Sequence, residues 1–345
     1  MYSINAVNLE ITDRCQAACP MCARNCNGGS EQPHVQNIDV TLDQIKQWFP
    51  VDWIKTIKEF NFSGNNGDPI IAKEVVSIVE FIIANSDPKS TCRLYTNGSL
   101  RTKKWWSEFA KVLNDRGDVV FAIDGFEEQH SIYRRNTDWN KIIENAKSFI
   151  SAGGHASANI IVFKHNEHIV HELKSFLLSI GFETVAFIFT PRFLGEKSYP
   201  VKDKQGNIEY YIEPPTTQKD LNQSIIPLYD KIKIREIIQD ASIKPQCHRD
   251  LYIDPLGNVF PCSSMHRWIN TIKSKVLTFE DAYKDISIED ANKLMSDIGY
   301  INLKNTNIKT ALENSKWDVI SKYWQTGNKN SVCVATCSDI MDSYK

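Results

Sequence analysis

The first half of the chain alternates short β-rich runs with stretches in which apolar residues recur at helical spacing. Six runs are predicted as strands, over residues 8–12, 59–63, 92–96, 118–123, 158–163 and 184–189. Helices are predicted between them, from Thr41 and over residues 73–86, 101–114, 138–152 and 168–180. Each parallel crossover needs a helix to cover it, so the alternation predicts an α/β fold with a parallel sheet, as an open or closed (β/α) barrel. Reactive groups in such a fold lie at the C-terminal ends of the strands.

The pattern changes after about residue 190. Residues 196–215 look like a hairpin, and residues 251–254 and 258–260 form a second candidate hairpin around Gly257. Residues 278–325 look helical with polar connections. The length of 345 residues favours two domains or one large α/β unit. We predict a barrel domain over residues 1–190 and a smaller α+β domain over residues 191–345.

Composition and charge exclude several classes of protein. Apolar residues make up 42% of the chain and charged residues 24%, which is typical of a globular protein and excludes a disordered or fibrous one. The 40 basic and 42 acidic residues nearly cancel, so nothing suggests a surface that follows a nucleic acid backbone. No apolar run approaches the ~20 residues that cross a bilayer, and the N-terminus lacks a secretory pattern. We therefore expect a soluble, cytoplasmic protein with no membrane partner.

The nine cysteines are clustered. Four lie within a dozen residues and four form two later pairs: Cys15, Cys19, Cys22 and Cys26, then Cys247 with Cys262 and Cys333 with Cys337. In a reducing compartment clustered thiols indicate metal ligands or redox groups before disulfides. Cys92, inside the third predicted strand, is expected to be a buried apolar residue.

The first cluster has the spacing C-x3-C-x2-C over Cys15, Cys19 and Cys22, directly after the first predicted strand. Three thiolates on one loop can hold three irons of a cubane cluster and leave the fourth iron open. A zinc knuckle is the alternative, although zinc sites more often combine C-x2-C with a distant second pair. Cys26 falls outside the spacing, which favours a spare thiol over a ligand.

This motif resembles the signature of the radical S-adenosylmethionine (SAM) superfamily, whose fold is a partial (β/α)6 TIM-like barrel. The resemblance implies a [4Fe–4S] cluster on the three cysteines, with SAM bound at the open iron. One electron, from a donor such as flavodoxin or ferredoxin, would cleave SAM to a 5′-deoxyadenosyl radical that abstracts hydrogen from the substrate. Met21 stands where the family often has an aromatic residue, and it can pack against an adenine ring.

Two segments after the second and third strands extend the resemblance. Residues 63–69, Ser-Gly-Asn-Asn-Gly-Asp-Pro, resemble the family's Gly-Gly-Glu-Pro element. Backbone groups around Gly67 and Asp68 would hold the amino group of SAM there, or the segment is a plain turn. Asn97 follows the third strand in Thr-Asn-Gly and is a further candidate for SAM binding.

The segment after the fourth strand supplies a charged pair of candidates. Asp124 could accept hydrogen bonds from ribose hydroxyls, or it is an ordinary turn aspartate. Residues 130–135 resemble the His-x3-Arg segment of SAM enzymes with extra clusters, in which the arginine pairs with the SAM carboxylate. Arg134 is favoured for this role over Arg135, and His130 is expected to be structural.

The later cysteines resemble the SPASM and twitch modules of radical SAM enzymes. Cys247, Cys262, Cys333 and Cys337 match a twitch-type single cluster with four protein ligands, which implies a second, auxiliary [4Fe–4S] cluster. A structural zinc on the same four thiols is the competing interpretation.

The resemblance implies a radical SAM enzyme of the oxidoreductase or peptide-maturase class. The expected reaction is modification of a peptide or protein side chain, and the alternatives are dehydrogenation of a small-molecule alcohol or modification of a nucleic acid. A zinc-organised, non-catalytic binding protein is the alternative outside radical chemistry. The sequence identifies no catalytic acid or base.

Overall fold

The structure is a computed structural model that describes residues 4–193, 196–216, 250–261, 263, 266, 296 and 301–313. Its strands are β1 Ala6–Leu9, β2 Glu59–Phe62, β3 Thr91–Thr96, β4 Gly117–Ala122, β5 His155–Ile161, β6 Thr184–Ile188, β7 Tyr199–Lys202, β8 Ile208–Ile212, β9 Asp250–Ile253, β10 Asn258–Phe260 and β11 Ile301–Asn302. Its α-helices are α1 Leu42–Trp48, α2 Val51–Ile54, α3 Val75–Asn85, α4 Lys103–Leu113, α5 Glu127–Tyr133, α6 Trp139–Ser151, α7 Val170–Ser179 and α8 Ile308–Glu313. Short 3-10 helices cover Pro69–Ile71, Asn114–Arg116, Pro191–Phe193 and Leu303–Asn305.

One mixed sheet organises these elements, in the order β11-β10-β9-β1-β2-β3-β4-β5-β6. Strands β1 to β6 are neighbours in chain order and pair in parallel throughout. The six strands predicted from the alternation are all present, and α3, α4, α6 and α7 lie between them as predicted. The predicted α/β class with a parallel sheet is confirmed.

The second predicted hairpin extends this sheet beyond β1. Strand β9 pairs in parallel with β1, from Ala6 opposite Asp250 to Leu9 opposite Ile253. Strand β10 returns antiparallel to β9, and β11 pairs antiparallel with β10. Part of the chain after residue 190 therefore belongs to the same sheet as the first half. The division at residues 190 and 191 stays a prediction.

The core lies between the helices and the sheet. Helix α4 shows how the sequence builds it, because Trp106, Phe109, Ala110 and Leu113 are its buried residues and recur at three- and four-residue steps. The ring of Trp106 lies 5.2 Å from that of Phe121 on β4. Such interlocking aromatic contacts seat the helix layer on the sheet and keep the strand ends in fixed relative positions.

The hairpin β7–β8 forms a separate two-stranded sheet, as predicted. Asp203 shapes its turn by accepting hydrogen bonds from the backbone of Gln205 and Asn207, at 2.9 and 2.8 Å. The hairpin lies on the segment that follows the first cysteines, because the backbone N–H of Lys202 donates to the carbonyl of Asn27 at 2.9 Å.

The predicted elements need one correction and one addition. Residues 301–302 form a strand within the stretch predicted as helical, because β10 offers them an edge to pair with. Helix α5 was not predicted, because the sequence analysis treated its residues only as part of a motif.

The four later cysteines, Cys247, Cys262, Cys333 and Cys337, lie outside the described residues. Every helix in the described ranges is too short or too polar to cross a bilayer.

The predicted capping box at the start of α1 gives a direct test of this local structure. Thr41 accepts a hydrogen bond from the backbone of Gln44, and the Gln44 side chain accepts one from the backbone of Thr41. We expect Thr41→Ala to lower the free energy of unfolding by about 1 kcal/mol, the usual cost of a lost N-cap. Urea unfolding measures the change, and Thr41→Ser, which keeps the hydroxyl, should stay near the wild type. Equal losses in both variants would contradict the cap assignment.

Candidate metal and cofactor site

The predicted site residues of the first half gather at one edge of the sheet. The loop that carries Cys15, Cys19 and Cys22, called here the cysteine loop, follows β1. Residues 63–68 follow β2, Asn97 follows β3 and Asp124 follows β4. These strands are parallel, so their C-terminal ends meet at the same edge. Segments that are distant in the chain are thereby brought into hydrogen-bonding contact. Arg134, for example, contacts Cys19 although 115 positions separate them.

Each of the first three cysteines has a polar contact from a different loop. The Asn97 side-chain N–H donates to the Cys15 sulfur at 3.7 Å, and an Arg134 N–H donates to the Cys19 sulfur at 3.9 Å. The Cys22 thiol donates to the carbonyl of Asn65 at 3.7 Å. The three thiols thus face the ends of β2, β3 and β4 rather than the helix layer.

Burial and mutual repulsion act on these thiols together. Burial raises the pKa of Cys19 to about 11, and the neighbouring Arg134 opposes that rise. Burial raises the pKa of Cys15 well above its usual range, and the charges of Asp68, Cys19 and Cys22 raise it further. Thiols in such a position bind as thiolates only when a metal compensates their charge.

The donor set fits an iron–sulfur cluster. Three thiols lie on one loop at C-x3-C-x2-C spacing, and amide and guanidinium N–H groups contact two of the sulfurs, as hydrogen-bond donors around the ligands do at such clusters. Among the described residues no group of three or more His, Cys, Asp or Glu side chains is placed to hold a single metal ion. The C-x3-C-x2-C spacing and the N–H contacts to two of the sulfurs make Cys15, Cys19 and Cys22 candidates for a multi-iron cluster.

The other cysteines and Met21 occupy different surroundings. Met21 is buried in a second apolar cluster, separate from the main core, with Cys19, Tyr133 and Phe163. Cys26 lies beyond the motif, and its backbone N–H donates to the carbonyl of Ser30 at 2.8 Å. Cys92 is buried inside β3 within the main core, as predicted.

The loop Ser63–Asp68, called here the glycine loop, is pressed against the end of β1. A Cβ on Gly67 would lie 1.9 Å from the carbonyl oxygen of Thr12, so only glycine fits there. The backbone N–H groups of Asn66 and Gly67 donate to one carboxylate oxygen of Glu10, at 2.5 and 2.8 Å. The close approach that Gly67 permits is thus to the protein's own backbone.

Asp68 holds the turn after β3 rather than facing solvent. Its carboxylate accepts from the Thr96 hydroxyl at 3.0 Å, from the Asn97 backbone N–H at 2.8 Å, and from the Asn97 side chain. It also accepts from the backbone of Ile70 at 3.2 Å. Burial raises the pKa of Asp68 to about 6, and these hydrogen bonds counter the rise. Asp68 thereby orients the Asn97 amide toward Cys15.

Asp124 and Arg134 form a buried ion pair. The Arg134 Nε donates to the Asp124 carboxylate at 2.5 Å, and the backbone N–H of Ile161 donates to its other oxygen at 2.7 Å. His130 accepts from the backbone N–H of Asp124 at 3.2 Å, and burial lowers the pKa of His130 to about 3, which keeps its ring neutral. Asp124 therefore orients Arg134 toward the cysteine loop, and His130 supports the backbone of Asp124.

Arg135, the neighbour of Arg134 in the chain, points elsewhere. Its guanidinium pairs with Glu209 at 2.6 Å and donates to the carbonyl of Lys202 at 2.8 Å, both on the β7–β8 hairpin. Consecutive arginines at the end of α5 thus serve different partners. Within the part of the chain that the structure describes, Arg134 contacts a cysteine sulfur and Arg135 does not.

Of the buried side-chain oxygens without a hydrogen-bond partner in the described part of the chain, one lies next to Cys15 and one lies on the glycine loop. They are Gln16 Oε1 and Ser63 Oγ. The Gln16 amide group also donates to Asn97 at 2.7 Å, which places it beside the Cys15 contact. Unpartnered buried acceptors are costly, so such atoms fit a bound molecule that carries hydrogen-bond donors. SAM carries an amino group and two ribose hydroxyls.

Comparison with known proteins agrees with this geometry. Residues 9–177 match the family model described as the Radical SAM superfamily. Residues 9–177 form a radical SAM domain. Members of this superfamily are enzymes. A comparison with curated protein sequences finds no match.

Solved structures share the radical SAM fold at low sequence identity. The structure of native anSMEcpe with bound AdoMet and Cp18Cys peptide is 13% identical, with 96% of this chain and 85% of that chain covered and a TM-score of 0.54. A histidine-tagged form of anSMEcpe with bound AdoMet is 13% identical, with coverage of 90% and 78% and a TM-score of 0.52. SuiB of Streptococcus suis bound to S-adenosylmethionine is 11% identical, with a TM-score of 0.50. The match covers 76% of this chain and 61% of SuiB. The sheet is thus the TIM-like partial barrel that was predicted.

Sequence reasoning missed Glu10, which organises the glycine loop. A sequence signal exists, because Glu10 is the single charged residue in the run Val-Asn-Leu-Glu-Ile over residues 7–11, at the end of the first strand. A lone carboxylate at a parallel strand's C-terminal end is a candidate for buried hydrogen bonding. Tyr252, its partner from β9, gave no such signal because the pairing of β9 with β1 is not visible in the sequence.

The state of Glu10 predicts how stability depends on pH. Burial raises its pKa from 4.5 to about 7, Tyr252 and the loop N–H groups oppose the rise, and the charge of Asp254 adds to it. Because the pKa is higher in the folded state, the stability it contributes is complete below about pH 4.5 and is lost as pH rises through 7.

We therefore expect Glu10→Gln, which cannot ionise, to gain stability relative to the wild type as pH rises from 6 to 8. Thermal unfolding of both proteins over that range measures the difference, with Glu59→Gln on β2 as the exposed control. A difference in unfolding temperature that stays constant from pH 6 to 8 would contradict the shifted pKa.

Proposed function

We propose that the protein is a radical SAM enzyme that modifies a side chain of a peptide or protein. The observation that carries the proposal is the convergence of Cys15, Cys19 and Cys22 with Asn97 and Arg134 at the C-terminal edge of the sheet. A [4Fe–4S] cluster on the three cysteines, when loaded with SAM and reduced, supplies the radical that abstracts hydrogen.

The residues around the cysteines supply binding and orientation. Arg134 would pair with the carboxylate of SAM, because Asp124 holds the Nε side of its guanidinium and turns the remaining N–H groups toward Cys19. The backbone around Gly67 and Asp68 would receive the amino group, with Asn97 beside it. Met21, in its buried apolar cluster, is the candidate contact for the adenine ring.

The hairpin β7–β8 would help to exclude water from the site around the cysteine loop. The Tyr199 hydroxyl donates to the carbonyl of Pro20 at 3.3 Å, and Arg192 donates to the carbonyl of Met21 at 2.6 Å. These contacts place the hairpin, and the 3-10 helix Pro191–Phe193 that precedes it, against the cysteine loop. A carbon radical must be shielded from side reactions, and a covered loop serves that need.

A peptide or protein substrate is favoured over a small alcohol or a nucleic acid. Structures of the similar protein anSMEcpe hold Cp18Cys and Kp18Cys peptides together with AdoMet. The near-neutral charge of this chain gives a nucleic acid little to bind. We further propose an auxiliary [4Fe–4S] cluster on Cys247, Cys262, Cys333 and Cys337, and electron supply by a flavodoxin or ferredoxin.

Single cysteine variants test the proposed cluster. We expect Cys15→Ala, Cys19→Ala and Cys22→Ala each to abolish the formation of 5′-deoxyadenosine from SAM, because each removes one of three ligands. Cys92→Ala is the matched control, since it removes a buried cysteine within β3. Cys26→Ala should also retain turnover. Turnover that persists in reconstituted Cys19→Ala would contradict the proposal.

The two neighbouring arginines test the assignment of the SAM carboxylate. We expect Arg134→Lys to weaken SAM binding about tenfold or more. The planar guanidinium of arginine can donate to Asp124 and to the SAM carboxylate at the same time, whereas the ammonium of lysine cannot hold both in this geometry. Arg135→Lys, whose partners lie on the hairpin, should bind SAM like the wild type. Equilibrium binding of SAM to the reconstituted proteins measures both, and equal losses would contradict the distinction.

A further inference from the structure

The glycine loop is anchored to the chain beyond the radical SAM domain. Glu10 is completely buried, and while one of its oxygens holds the loop N–H groups, the other accepts from the hydroxyl of Tyr252. Tyr252 lies on β9, which is aligned by its parallel pairing with β1. The family match ends at residue 177, so a residue from outside it completes the hydrogen bonding of Glu10.

A second anchor from the same region holds the loop at Asn65. Its side-chain N–H donates to the carbonyl of Ser263 at 3.2 Å and lies 3.4 Å from Nδ1 of His266. The carbonyl of Asn65 accepts from the Cys22 thiol at 3.7 Å. One residue of the loop thus contacts both the cysteine motif and the segment after β10.

We propose that Glu10 and Tyr252 act as a positioning pair, through which the β9–β10 hairpin fixes the glycine loop against Cys22. The proposal rests on the proposed function, since it assigns the pair to the part of the site that would hold the SAM amino group. Neither residue is proposed to touch SAM. Both act through the backbone of Asn66 and Gly67.

The geometry favours positioning over simple core packing. The ring of Tyr252 already packs on the rings of His266 and Phe260, at centroid distances of 4.5 and 6.3 Å, and packing needs no hydroxyl. Burying a carboxylate is expensive unless donors compensate it. The donors to Glu10 are the N–H groups of Asn66 and Gly67 and the hydroxyl of Tyr252. Moving any of the three would leave the carboxylate without one of its hydrogen bonds. The glycine loop is therefore held in one arrangement.

The test compares SAM binding in reconstituted full-length protein. Tyr252→Phe removes only the hydroxyl and keeps the ring, so it should fold. We expect SAM affinity to fall about fivefold, the usual effect of one lost hydrogen bond. The electron paramagnetic resonance signal of the reduced cluster should also respond less to added SAM. Ser90→Ala is the matched control, because it removes a buried hydroxyl that donates to the Ile57 carbonyl, at the opposite end of β3.

A double-variant cycle separates a pair from two independent residues. Glu10→Gln alone should weaken SAM binding by a similar factor, and the double variant should be little worse than either single one, because the second change removes a contact already lost. Additive losses would overturn the pairing. Unchanged SAM affinity in Tyr252→Phe, with a lower unfolding temperature only, would overturn the positioning role.

These outcomes are distinct from failure of the proposed function. If the wild-type protein holds a cluster whose signal responds to SAM, the function stands whatever Tyr252→Phe shows. If the wild type holds no such cluster, the function fails, and the pair loses the role proposed for it.

Discussion

Parallel pairing of β1 to β6 is the constraint on which the candidate site depends. Because the strands run in one direction, the loops that follow them emerge at one edge, and each brings a polar group to the same place. The cysteine motif follows the first strand, and the amide of Asn97 and the guanidinium held by Asp124 reach it from the third and fourth. The helices and their aromatic core keep these ends in register.

Buried carboxyl groups do the finer positioning. Glu10, Asp68 and Asp124 are carboxyl groups with little or no exposure, and each accepts hydrogen bonds from a neighbouring strand or from the loop that follows it. A buried carboxylate that loses a donor suffers a large desolvation cost, so these groups act as fixed points between loops. The arrangement orients Asn97 and Arg134 without either residue having to bind a cofactor first.

Sequence periodicity predicted the strands and most helices of the first half, because alternating burial along strands and three- and four-residue spacing in helices leave a clear apolar pattern. The same reasoning placed the ends of the strands, and so the cysteines, Asn97 and Asp124, at one edge. It could not predict that β9 pairs with β1, since pairing between segments so far apart in the chain leaves no local trace. Glu10 and Tyr252 depend on that pairing. Residues 301–302 were likewise misassigned because a two-residue strand has no period of its own.

The central claim is tested most directly by the metal content of anaerobically reconstituted protein, measured with SAM cleavage on the same sample. We expect about eight irons per chain with matching sulfide, and 5′-deoxyadenosine on reduction. About four irons per chain, together with 5′-deoxyadenosine, would support the radical chemistry and contradict the auxiliary cluster. Zinc in place of iron, with SAM left intact, would contradict the proposed radical chemistry altogether.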